Sequence, residues 1–401
     1  MIITLVTDQF FQSNHGTSVS AQWLYQGLVK QGHVVRILTI DDGTNTPYAL
    51  NERSFGKPID RVIHSQGMQL AKPDKEIILK AIRGADVVHV FMPFKLGYKT
   101  IELCRERNIP CTAAFHIAPE NITSTLHLNK FKFINYLLWK RWYRKVYQYV
   151  EHIHCPSEMI NKQLNEHCFN TCNHVISNGY KDIFKMQREE KPTIYKDKFI
   201  IVVNGRFSRE KRFDLVINAI NKSKYRERIL LILGGKGPQK KRLMRLARKL
   251  PVYPVFLGSY NREQQLSFLN FADLYIHPAD VEIEGMTCIE AIACGCVPIV
   301  SDSPKSATSQ FVLHKRSSFR HGNYKDLAEN IDWWIEHPND LQAHRTVIAK
   351  HALNFTIERS MRSYIEMFDA VVSDRENVYD LGTRKVEFES SEEWIYLSNP
   401  T

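Results

Sequence analysis

The 401-residue chain has no apolar run of about 18 residues, the length needed to cross a bilayer as a helix. It is therefore expected not to span a membrane. It also lacks a charged segment ahead of its first apolar run. Met1-Ile2-Ile3-Thr4-Leu5-Val6 passes straight into polar sequence, unlike a secretory leader. Cysteine is sparse, and several of the eight sit in apolar surroundings, as in Cys294-Gly295-Cys296. That is how a reducing compartment uses the residue, as a small buried hydrophobe. The cluster of His167, Cys168, Cys172 and His174 has metal-ligand residue types, but its spacing fits no standard zinc pattern, so no metal is expected. No helix-turn-helix, zinc-finger or RNA-binding signature is present. Acid is in deficit: 43 Asp and Glu stand against 54 Lys and Arg, a net charge of +11. Such a surface attracts nucleic acid, anionic lipid headgroups or phosphorylated substrates, and charge alone does not choose among them.

What is present is a repeated alternation of strand and helix signals. Ile2 to Thr7 reads as a strand, a loop containing Gly16 follows, Val19 to Val29 has helical spacing, and His33 to Ile40 reads as a second strand. Further strands are expected at Asp86–Phe91, Pro110–Phe115, His152–Cys155 and His174–Ile176. Helices are expected at Lys75–Arg83, Tyr98–Arg107 and Ser157–Glu166, with Ser157 as N-cap. A charged stretch from Lys185 to Lys198 interrupts the pattern and reads as a linker. The alternation then restarts with strands at Phe199–Val203, Ile229–Leu233, Tyr253–Phe256, Leu274–His277 and Cys296–Val300, and closes in helices. The fold class is α/β: two facing Rossmann-like domains with parallel sheets, a cleft between them, and C-terminal helices. The expected division is 1–187 and 188–401, with 356–401 returning towards the first domain. Trp394-Ile395-Tyr396 is a candidate anchor for the tail. Ligands of such sheets sit at the carboxyl ends of the strands.

The strongest chemical signal runs from Glu282 to Gly295. Glu282 lies in the loop after a strand, a glycine precedes a helix starting near Met286, and Glu290 follows Glu282 after seven intervening residues. Backbone N–H groups at such a helix start suit a phosphate or sugar oxygen, and carboxylates accept charge-assisted bonds from sugar hydroxyls. The plainer reading is that Glu284 or Glu290 merely favours a helix N-terminus.

This segment resembles the E-x7-E signature of the retaining glycosyltransferases of family GT4, which have the GT-B fold. Other blocks agree in order: Asn204-Gly205-Arg206 through Lys211, Gly234-Gly235-Lys236-Gly237-Pro238, Phe256 to Tyr260, Ala272-Asp273-Leu274, and Ser177-Asn178-Gly179-Tyr180. The resemblance implies that Arg206 and Lys211 hold the diphosphate of a nucleotide-sugar donor, opposing the charge that develops as it leaves. It implies that Glu290 binds the ribose and Glu282 the transferred sugar. Gly285, Met286 and Thr287 would contribute backbone N–H groups, and Tyr260 would line the base. His116 would face the donor sugar, and Gly16 and Thr17 would approach its phosphate. Glu120 and Asn121, just after His116, fall on the acceptor side. No cofactor and no metal are implied. Two departures stand out: Ser303-Pro304-Lys305-Ser306 replaces the family's glycines and glutamate, and the first loop has one glycine where the family has two.

The resemblance further implies transfer with retention from a donor expected to be UDP-linked. The acceptor would be a lipid-linked saccharide or a membrane lipid in cell-surface glycan, capsule or glycolipid synthesis. Between Leu128 and Val150 six Lys or Arg and no acid accompany Trp and Tyr, with Phe131, Ile134, Leu138, Trp142 and Val146 at helical spacing. Such a segment suits an anionic membrane surface, or else packs on the first domain with a solvated basic face. The expected location is cytoplasmic and peripheral on the inner face of the cell membrane, with no specific nucleic-acid partner. Alternative readings are an epimerase or hydrolase of nucleotide sugars on the same fold, a basic nucleic-acid-binding protein, and a non-catalytic partner subunit.

Overall fold

Parallel strands covered on both faces read as unbroken apolar runs rather than alternating ones, and Ile200-Ile201-Val202-Val203 and Ile229 to Leu233 have that form. In the computed structural model, which describes residues 1–11, 16–41, 46–65, 67–125, 132–187, 189–258 and 260–377, these runs are the buried centre of a sheet. The first domain contains β1 (Ile2–Val6), β2 (Val34–Ile40), β3 (Ala49–Leu50), β4 (Val87–Val90), β5 (Cys111–Ala114), β6 (His152–Cys155) and β7 (Cys172–Val175), in spatial order β3-β2-β1-β4-β5-β6-β7. The second contains β8 (Phe199–Asn204), β9 (Ile229–Gly234), β10 (Val255–Leu257), β11 (Leu274–His277), β12 (Val297–Ser301) and β13 (Ser318–Phe319), in order β10-β9-β8-β11-β12-β13. Every pairing between these strands is parallel. In each sheet the order reverses beside the first strand, between β1 and β4 and between β8 and β11. A crevice opens at such a reversal, at the carboxyl ends of the strands.

The helix Glu158–Glu166 begins where the sequence places it: the Ser157 side chain accepts the Ile160 N–H. The strand expected at His174–Ile176 lies two residues earlier, at Cys172–Val175. The edge strands β3 and β13, two residues each, had no readable pattern. The last described helix, Ile357–Asn377, packs Met361, Tyr364, Met367 and Phe368 into the core of the first domain. Trp394-Ile395-Tyr396 lies outside the described residues.

The basic aromatic segment forms the helix Lys132–Lys145 and a turn at Tyr147–Tyr149; residues 128–131 are outside the described residues. Trp142 and Val146 point into the core, as do Trp139 and Tyr143. Trp139 stacks on Phe115 at 4.9 Å and on His167 at 4.2 Å. The apolar line read from the sequence is thus the packed side of the helix. The exposed side carries a different set: Phe133 (67% exposed), Tyr136 and Leu137, with Arg141, Arg144 and Lys145.

Candidate active site

The site is built where the ends of β8, β9 and β11 meet the start of the helix Met286–Ala293. Gly285 caps that helix in the left-handed region at φ 96°, and a Cβ there would lie 2.7 Å from Thr308 Cγ2. Only glycine suits the turn. Across the cleft the helix Gly16–Lys30 begins at Gly16, where a Cβ would lie 3.6 Å from Met286 Sδ. Two helix N-termini therefore meet at the cleft, each with N–H groups lacking intrahelical partners and a partial positive charge. Thr17 is half-buried on the first turn; the loop 12–15 before it lies outside the described residues.

Glu282 is the electrostatic centre. One oxygen of its carboxylate binds Lys211 Nζ and also lies 2.8 Å from His277 Nε2. Burial pushes its pKa up, but Lys211 and His277 outweigh that and hold it well below the ordinary carboxylate range. The loop Ser303 to Ser306, which departs from the family pattern, is joined to this residue by its backbone. Glu282 N–H donates to Lys305 O at 3.0 Å, and Ala307 N–H donates to Glu282 O at 2.9 Å.

Glu290 is buried, and its carboxylate accepts from Arg262 at 3.1 Å and Gln265 at 2.6 Å. Burial raises its pKa, and Arg262 and Gln265 oppose the rise. Tyr260 packs edge-on to Phe268 at 5.3 Å; burial, with the Glu290 charge, pushes the Tyr260 phenol up to about 12. Thr287 Oγ1 receives a hydrogen bond from Tyr275 at 2.8 Å. The two glycine-rich blocks interleave: Gly205 N–H donates to Gly234 O at 3.0 Å and Phe207 N–H to Lys236 O at 2.8 Å. A Cβ on Gly235, whose φ is +135°, would fall 1.9 Å from Gly205 O. Arg206 reaches the other domain, donating to Ser65 O at 3.1 Å.

His116 sits after β5 with its ring stacked on Phe91 at 5.3 Å. Burial, reinforced by His154 and His89, holds its pKa well below normal, so the imidazole is neutral. Its buried Nε2 has no hydrogen-bond partner among the described residues. Glu120 forms an ion pair with Lys305 at 3.4 Å across the cleft. Asn121 Oδ1 accepts the Ala118 N–H, a local cap at the start of the helix Pro119–Thr125.

The structure thus joins Lys211 to Glu282 and Gly16 to Met286, and places Tyr260 within reach of the Glu290 charge. Arg206 meets Ser65 of the first domain, and Glu290 meets Arg262 and Gln265. Sequence reasoning missed His277, Arg262 and Gln265, and it missed what Glu284 does. Its carboxylate is buried against the first domain, accepting from Ser177 Oγ at 2.5 Å and Asn178 N–H at 3.0 Å. Position at a strand end could have marked His277; nothing local marks the others. In the cysteine–histidine cluster, His167 stacks on Trp139 instead of joining His174. His152 takes that place, with Nδ1 2.8 Å from His174 Nε2 and Nε2 3.0 Å from Asp374 on the returning helix.

Comparison with known proteins matches residues 15–182 to the model of Glycosyltransferase Family 4 and residues 185–352 to that of Glycosyl transferases group 1. Alpha-monoglucosyldiacylglycerol synthase of Streptococcus pneumoniae is 25% identical over 76% of this chain and 72% of its own. An Anabaena protein, Alr3699/HepE, solved in complex with UDP and glucose, superposes with a TM-score of 0.70 over 92% of this chain and 100% of its own, at 14% identity. The catalytic domain of cholesterol-alpha-glucosyltransferase from Helicobacter pylori is 44% identical over 39% of this chain and 99% of its own, with a TM-score of 0.38. The architecture is the GT-B fold, and the chain belongs to the family 4, group 1 glycosyltransferases.

Proposed function

We propose that this glycosyltransferase moves a hexosyl group, with retention, from a UDP-linked sugar to a lipid or lipid-linked saccharide at an anionic membrane surface. The observation that carries the reading is the contact of Lys211 with Glu282 at the carboxyl ends of the second sheet, beside a helix N-terminus that faces another from the first domain. In this reading Lys211 and Arg206 neutralise the departing diphosphate, and the helix Met286–Ala293 adds its N–H groups. Glu282, kept ionised by Lys211 and His277, accepts hydroxyls of the transferred sugar. Glu290 turns from Arg262 and Gln265 to the ribose. The neutral His116 offers its unpartnered nitrogen to the sugar. Neither metal nor cofactor takes part.

A UDP-linked donor is supported by the structural relative bound to UDP and glucose. A glycolipid acceptor is supported by the synthase from Streptococcus pneumoniae and by a second protein of that name from Acholeplasma laidlawii. The exposed Phe133, Tyr136 and Leu137 with Arg141 and Arg144 supply an apolar and basic face of the kind that lies on anionic lipid. Among the described residues no helix is long and apolar enough to cross a membrane. In this reading the chain docks peripherally through that basic and apolar face, on the cytoplasmic side where nucleotide sugars are supplied. The test is a panel of nucleotide sugars in a thermal-shift assay, followed by incubation with diacylglycerol-containing anionic vesicles and NMR of the product. An α product from an α-linked donor is expected; an inverted anomer overturns retention, and no stabilisation by any nucleotide sugar overturns the donor assignment.

A further inference from the structure

Asn204 ends β8, the strand beside which the second sheet reverses its order, and its side chain is buried, with 2% exposed. Its backbone carbonyl lies 3.4 Å from the Tyr275 hydroxyl and 3.5 Å from that of Thr287. Its carboxamide lies against β9. A Cβ on Gly234 would fall 2.2 Å from Asn204 Oδ1 and 2.9 Å from Tyr260 Cε1, so amide, glycine and tyrosine ring form one wall. Neither Nδ2 nor Oδ1 has a hydrogen-bond partner among the described residues.

A primary amide offers two donor hydrogens and two acceptor lone pairs. Burying all of them unused carries the full desolvation penalty with no return. Packing does not require it: the neighbouring strand residues are Val, Ile and Leu, and a leucine has the same branching and the same number of side-chain heavy atoms. A polar group kept unsatisfied at the end of a central strand, between Tyr260 and Thr287, is one whose partner arrives from outside. We infer that the Asn204 carboxamide is a binding group for the ribose–phosphate portion of the nucleotide donor, donating from Nδ2 to a phosphate oxygen and accepting at Oδ1 from a ribose hydroxyl. This rests on the reading of the cleft as a nucleotide-sugar site. Gly234 is part of the same device, because any side chain there would displace the amide.

The experiment measures UDP binding by calorimetry, and thermal unfolding without nucleotide, for the full chain and for Asn204→Leu and Asn204→Asp. Asn204→Leu should raise the Kd for UDP by about 10- to 100-fold, the range for losing hydrogen bonds to a charged partner. Its nucleotide-free midpoint should stay level or rise, since the unsatisfied amide is gone. Asn204→Asp keeps the shape but replaces the donor with an anion, and should weaken UDP at least as much. Unchanged UDP affinity in both variants overturns the inference while leaving the site assignment intact. A drop of several degrees in Asn204→Leu without nucleotide overturns it too, by showing that the amide holds the fold. Failure of the wild type to bind UDP at all overturns both the inference and the reading beneath it.

Discussion

The Glu284 carboxylate of the second domain accepts the Asn178 backbone N–H of the first at 3.0 Å, and Asn178 Nδ2 bonds its second oxygen. With Glu282 and Ile283 it makes a three-residue ledge. Glu282 faces Lys211, the Ile283 carbonyl accepts from Ser157 at 2.7 Å, and Glu284 faces Ser177 and Asn178. The same short segment thereby carries both the ion pair with Lys211 and the contacts to the first domain.

That contact is proton-linked. Burial raises the Glu284 pKa to about 7, against hydrogen bonds from Ser177 and Asn178 that lower it. A carboxyl whose folded pKa exceeds its unfolded value of 4.5 is protonated in the fold while ionised in the unfolded chain between those limits. Its contribution is full below about pH 4.5, falls as pH rises, and levels off above about pH 7. The fall should be on the order of 3 kcal/mol. Glu284→Gln, which cannot titrate, should flatten this part of the profile in denaturant unfolding from pH 4.5 to 7.5.

Lys211→Met should reduce transfer by at least about 100-fold, because a cation opposing the leaving diphosphate is lost. It should also destabilise the fold by about 1–3 kcal/mol, since among the described residues the Glu282 carboxylate then keeps His277 alone as a partner. Adding Glu282→Gln should return most of that stability but none of the transfer, as read by urea unfolding and product formation.

Glu290→Ala should abolish transfer with the far-UV circular dichroism unchanged. Arg262 would retain its stacking over Trp23 at 5.6 Å and Phe184 at 5.5 Å, so the surrounding structure has other supports.

The proposed membrane docking should separate from chemistry. Arg141→Glu with Arg144→Glu should weaken sedimentation with anionic vesicles by about 1 kcal/mol or more per residue, and increasingly so at low salt. Hydrolysis of the donor in solution should persist. Addition of EDTA should leave turnover unchanged, since cationic side chains and helix N-termini serve the diphosphate in this account.

Much of this was legible from local signals. Unbroken apolar runs marked the buried strands, glycine marked the turn before Met286, and Ser157 marked its helix. The edges were not legible: two-residue strands such as Ala49–Leu50 bury too little to leave a pattern. Partners drawn from distant segments were equally invisible. Nothing in Arg262 or Gln265 announces Glu290, and Glu284 looked like a helix-start residue because its partners lie 106 and 107 residues away. In the basic helix the spaced apolar line was legible as a packed side, but that Trp139 and Tyr143 share the core with it was not.

The most direct test is a crystal structure with UDP-glucose bound. The diphosphate should lie between Arg206, Lys211 and the N-terminus of the helix Met286–Ala293, with Glu290 on the ribose and Glu282 on the sugar. A diphosphate bound away from Lys211, with its contact to Glu282 undisturbed, would contradict the account.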